Sequence, residues 1–138
     1  MKTRRTKEDR IRYLVSRWKP RLLLNHWSVD IEFAAEQKPA EKSGHVHYAE
    51  VVLNDRYTEC KLIVYPSLFN KPFHYQRATI VHELSHITTR PISKLLEKAA
   101  SRGVFTQTAL DDAVEGITEA VAKIVLSAHS TNKKDFQL

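Results

Sequence analysis

The chain has 138 residues, the size of one compact domain, with no room for a second of ordinary size. With 42% hydrophobic and 28% charged residues it is neither low-complexity nor a membrane protein: apolar runs such as Leu22-Leu23-Leu24 and Leu62-Ile63-Val64 are far too short to span a bilayer. The net charge of +6 is concentrated at one end, since residues 1–21 carry nine Lys or Arg against Glu8 and Asp9, and the remainder thirteen against fourteen acids.

Thr6 followed by Asp9 is an N-cap signature, and Ile11, Leu14, Val15, Trp18 and Leu22 recur at helical spacing, so a first helix is expected over 7–23. Pro20 should kink or end it. The basic excess of residues 1–21 has two readings, a phosphate-binding arm for nucleic acid or the solvated face of an amphipathic helix. The lack of aromatic or Gly interleaving favours the second. Residues 1–6 and 130–138 are expected to be flexible tails. The charged N-terminus shows no signal-peptide apolar stretch, which gives the expectation of a cytoplasmic protein with no membrane contact. Cys60 is the single cysteine, so no internal disulfide forms within the chain, and a small core residue is its plain reading.

Three strand patterns follow: Val29, Ile31 and Phe33 alternating with polar neighbours, a Val-rich run over 45–54, and an alternating run over 58–65. A small sheet of three to four strands, mainly antiparallel, is the expectation. Pro66 and Pro72 punctuate a connector, and Ile80, Leu84 and Ile87 then step at i, i+4, i+7 in a helix expected over 75–89 and stopped by Pro91. A short helix over 93–102 should close at Gly103. Thr108 with Asp111 reads as the cap of a long final helix whose apolar stripe is Leu110, Val114, Ile117, Val121, Ile124 and Ala128. The fold class is α+β.

The chemistry lies in His82-Glu83-Leu84-Ser85-His86. On a helix, residues four apart are separated by about 6 Å of rise and about 40° of rotation, so His82 and His86 point the same way. Two imidazoles so placed can ligate one ion, while Glu83, next round the helix, can take a proton from a bound water. The plain alternative is a helix with two surface histidines. A catalytic zinc needs a third protein ligand and an open position. Glu115 and Glu119, an i, i+4 pair on the flank of the final helix, offer carboxylates for it.

Val114-Glu115-Gly116-Ile117-Thr118-Glu119 resembles the downstream helix of the gluzincin peptidases, the thermolysin-like and aminopeptidase-like zinc enzymes. Thermolysin-like members carry a ligand Glu with an acid four residues on, and aminopeptidase-like members carry the ligand Glu directly before a Gly. Both patterns imply Glu115 as the third ligand and Glu119 as the acid that orients a ligating histidine. The order of elements also resembles very small gluzincins, often phage or prophage encoded, that keep a zincin-like catalytic core. The interval from His86 to Glu115 is longer than in the large members, and no clear counterpart of their oxyanion-stabilising His or Tyr is present. His45, His47, Tyr65, His74 and Tyr75 are the candidates. His129 would lie about 20 Å along the final helix from Glu115.

The resemblance implies a zinc metallopeptidase: one Zn2+ held by His82, His86 and Glu115, with Glu83 as general base, acting on an extended peptide or protein substrate in a cleft between a sheet edge and the motif helix. Two other classes are compatible with the sequence: a nucleic-acid-associated peptidase anchored through residues 1–21, and a non-catalytic zinc-binding domain of the same fold.

Overall fold

Helix α1 (Lys7–Arg21) starts at a capping box, in which Thr6 Oγ1 accepts from the Asp9 backbone N–H at 3.1 Å and the Asp9 carboxylate accepts from the Thr6 N–H at 3.4 Å. The structure, a computed structural model, describes residues 6–54 and 56–129. Thr6 is therefore a helix cap and not part of a tail, and the expected tails 1–5 and 130–138 lie outside the described residues. Pro20 is accommodated in the last turn, and the helix ends at Arg21, two residues short of the expected end. Ile11, Leu14, Val15 and Trp18 form its buried stripe.

Strands β1 (Ser28–Phe33), β2 (Ala49–Asn54) and β3 (Glu59–Val64) form one sheet in the order β1-β3-β2. Its pairing differs from the expected antiparallel arrangement. β2 and β3 are an antiparallel hairpin, but β1 pairs with β3 in parallel, Ile31 opposite Leu62 and Phe33 opposite Val64. The cause is the connection over 34–48, which carries the chain past β3 to its far side. Strand alternation reveals which face is buried and not which strand is the neighbour. The connection is pinned by Gln37, whose Nε2 donates to the His47 carbonyl at 2.6 Å and whose Oε1 accepts from the Ser67 N–H at 2.9 Å. Of its residues 45–48, expected as strand, Tyr48 prolongs the β2–β3 ladder by one backbone bond to Tyr65, and 45–47 lie outside it.

Helix α2 (Phe73–Thr88) presents Ile80, Val81, Leu84 and Ile87 to the sheet and α1, all nearly or fully inaccessible. Each such side chain contributes roughly 1.5–3 kcal/mol of burial. Thr89 separates α2 from α3 (Arg90–Ser101), whose first turn holds Pro91, where the missing N–H has no helical partner to lose. This helix thus starts three residues before its expected beginning. Gly103, with φ of +76°, follows it in the left-handed conformation that suits glycine.

Helix α4 (Gln107–Ala128) is capped by Thr106, whose hydroxyl oxygen accepts from the Ala109 N–H at 3.1 Å, and not by Thr108. Its buried residues are Leu110, Thr118 and Ala122, while Ile124 is 68% exposed and Ala128 is on the surface. The expected stripe is therefore rotated, with Thr118 and Ala122 on the buried face and Ile124 turned out. Cys60 is buried among the core side chains, and desolvation pushes its thiol up to about 11. Lys7, Arg12 and Arg21 of α1 lie over the rings of Phe69, Phe33 and Trp18. Among the described residues, no helix is long and apolar enough to cross a membrane.

Candidate metal centre

His82 and His86 project from one flank of α2, their ring centroids 5.1 Å apart and nearly perpendicular. Against them α4 places three polar side chains within little more than one turn. The Glu115 carboxylate sits between the two rings, 3.3 Å from His82 Nε2 and 3.4 Å from His86 Nε2. Glu119 lies 2.7 Å from His82 Nδ1, and Thr118 Oγ1 lies 3.3 Å from His86 Nδ1. Each imidazole thus turns Nε2 toward the shared carboxylate and Nδ1 toward its own partner on α4.

The donor set can be tested against a tetrahedral zinc. Nitrogen and oxygen ligands at about 2.0–2.1 Å in a tetrahedron are about 3.3–3.4 Å from one another. The two nitrogen-to-carboxylate separations fall in that range, one to each oxygen of Glu115, so the chemistry of His82, His86 and Glu115 suits a zinc, and bringing one Glu115 oxygen to both rings takes a small side-chain adjustment. Glu83 is a competitor for the third position. Its carboxylate, with the two histidines, forms the group of donors lying within 4.8 Å of one another among the described residues.

Glu83 has a separate engagement, however. The backbone N–H of Val51 on β2 lies close enough to its carboxyl to stabilise the charged form. In the β2–β3 ladder the Tyr65 N–H bonds the Tyr48 carbonyl at 3.0 Å, and alternation along an antiparallel pair turns the N–H and C=O groups of Ala49, Val51 and Leu53 away from β3. The Glu83 carboxyl is pushed up to about 8, first by desolvation and then by the charges of Glu115 and Glu50, with the Val51 N–H acting in the opposite sense. A carboxyl poised near neutrality is suited to exchange a proton. The His86 imidazole is shifted down by burial and by His82, against an upward pull from Glu115, which favours the neutral ring that a metal requires.

These groups line one cleft of about 680 Å³, walled on one side by residues 45–51 and Leu53 and on the other by α2 from Tyr75 to His86, with Glu115 and Glu119 at the end. Of the residues considered for oxyanion stabilisation, His45, His47 and Tyr75 face this cleft. Tyr65 is buried with its hydroxyl 2.5 Å from Glu50, and His129 packs edge-on against Trp18 at 5.7 Å, far from the histidine pair. Tyr48 also lines the cleft, edge-on to Tyr75 at 5.3 Å with Lys71 Nζ near both rings.

The roles of Thr118, Thr89 and the Val51 backbone escaped the sequence. Thr118 stands at i+3 from Glu115, hence on the same face, and that spacing was its available signal. Compared with protein-family models, with curated proteins and with solved structures, the chain matches none.

Proposed function

We propose that the chain is a zinc-dependent peptidase of gluzincin type, with a zincin-like arrangement of helix, edge strand and cleft. The observation that carries this reading is the convergence of His82 Nε2 and His86 Nε2 on the two oxygens of Glu115, at 3.3 and 3.4 Å, beside the carboxyl of Glu83. A structural zinc site would be closed by four protein ligands, whereas this one opens on a cleft.

His82, His86 and Glu115 would hold the zinc. Bound there, it would supply a Lewis acid for the scissile carbonyl and make a water easier to deprotonate. Glu83 would take up a proton from the attacking water and return it to the leaving amine, its carboxyl standing beside the Val51 N–H. Glu119 fixes the ring of His82. The outward-facing backbone of Ala49 and Leu53 on the edge strand suits an extended peptide, which adds to such an edge by main-chain hydrogen bonds.

The test is metal analysis of the purified chain together with hydrolysis of an unfolded protein. About one zinc per chain is expected, with activity lost to a chelator and restored by zinc. A chain that takes up no zinc loses the basis of the mechanism. One that binds zinc at these residues but cleaves no unfolded protein is a binding domain and not a peptidase.

A further inference from the structure

His86 Nδ1 is the first member of a chain of polar atoms leading into the protein. Thr118 Oγ1 is 3.3 Å from it, Thr89 Oγ1 is 3.2 Å beyond that, and the Thr89 hydroxyl donates to the Ser85 carbonyl at 3.0 Å. Ser85, Thr89 and Thr118 are all buried, at 0%, 4% and 0% exposure, so water does not compete for these hydrogen bonds.

A carbonyl oxygen only accepts, and two of them, Ser85 at 3.0 Å and His86 at 3.4 Å, lie by the Thr89 hydroxyl, which favours one direction for the series. With the Thr89 proton on the Ser85 carbonyl, the Thr89 oxygen is an acceptor, and the Thr118 hydroxyl is left to donate to it. The Thr118 oxygen then turns a lone pair to His86, whose Nδ1 carries the hydrogen. In a neutral imidazole the other nitrogen is then unprotonated. That nitrogen, Nε2, is the one that faces Glu115. The opposite polarity would put the ring hydrogen on Nε2, facing Glu115 at 3.4 Å, and is the outcome the NMR test discriminates against.

We propose that Thr118 and Thr89 are positioning residues that lock neutral His86 as its Nδ1–H tautomer and so hold the Nε2 lone pair ready for a metal. The idea rests on the zinc reading for its purpose but not for its structure. Glu119 serves His82 through a carboxylate that also brings negative charge. The threonine pair serves His86 without adding charge, in a buried position where a second carboxylate would be costly.

The tautomer is read directly from long-range nitrogen–proton NMR spectra of the metal-free protein at mildly alkaline pH. Hydrogen on His86 Nδ1 is expected, and hydrogen on Nε2 in the unaltered protein would overturn the proposal. T118V keeps the side-chain volume and removes the hydroxyl; it should release the ring to the Nε2–H form or a mixture and weaken zinc binding by about 10- to 100-fold. T118S restores the hydroxyl and should keep the tautomer and an affinity within about threefold of the unaltered chain. A T118V protein with both tautomer and zinc affinity unchanged would also overturn it. Should T118V not fold, the spectrum of the unaltered chain decides alone. If that chain shows the Nδ1–H form yet takes up no zinc, the relay stands and the metal reading fails.

Discussion

His82 Nδ1 lies 2.7 Å from the Glu119 carboxylate, while Nε2 of the same ring lies 3.3 Å from Glu115. One imidazole thus separates two carboxylates that stand a turn apart on α4, and removing each should have a different consequence. Glu115→Ala should abolish tight zinc binding. Glu119→Ala should weaken it by about 10- to 100-fold and leave a metal that still binds. Competition titration against a zinc chelator measures both, and equal losses would contradict the division of roles.

Glu83→Gln tests which carboxylate completes the triad, because Glu83 also lies within 4.8 Å of both histidine donors. Zinc content should stay near one per chain, and hydrolysis should fall by at least about 100-fold. If the variant comes out depleted of metal, Glu83 is a ligand and Glu115 is the neighbouring ion-pair partner.

The raised pKa of Glu83 has a signature in stability. The carboxyl is pushed from an ordinary 4.5 to about 8, so between these values the folded chain holds a proton that the unfolded chain releases. The stability of the metal-free protein therefore falls as pH rises through this window and levels off above about 8; below about 4.5 the group has no effect. Metal-free Glu83→Gln, which cannot ionise, should gain on the unaltered protein with rising pH. Thermal unfolding in chelator from about pH 5 to about pH 9 gives the comparison, and parallel curves would mean that Glu83 titrates normally.

Thr6→Ala removes one half of the capping box on α1. A loss of about 1 kcal/mol is expected, with zinc affinity unchanged, since α1 contributes nothing to the metal centre. Denaturant unfolding and zinc titration on the same sample separate the two effects.

His82, Glu83 and His86 were legible because helical geometry alone puts two residues four apart on one flank. The helices were legible from apolar period and caps, with errors where polar signals competed: Thr108 and Thr106 stand two residues apart, and both have the chemistry of a cap. The pairing of β1 was not, since alternation is the same whichever strand lies alongside. Thr118 was passed over because an apolar stripe is sought in apolar residues, and a buried hydroxyl that bonds a histidine looks like a gap in it. The N–H of Val51 has no residue signature at all, because any residue but proline supplies one.

The parallel pairing of β1 with β3 bears on how the cleft comes into being. The β2–β3 hairpin closes over a short turn, pairing Asn54 with Glu59, and such hairpins form on a timescale of about 1–10 μs. β1 has to wait for the whole 34–48 crossover to settle before Phe33 meets Val64, a non-local closure that slows folding. The β2 part of the cleft wall, Ala49 to Val51 and Leu53, thus belongs to the part of the sheet that assembles locally, while residues 45–48 settle with the crossover and β1 joins from the far side of β3. Substitutions that weaken β1 should chiefly speed unfolding, whereas those in the hairpin should slow folding, so the rim beside Glu83 is built on the early-forming half of the sheet.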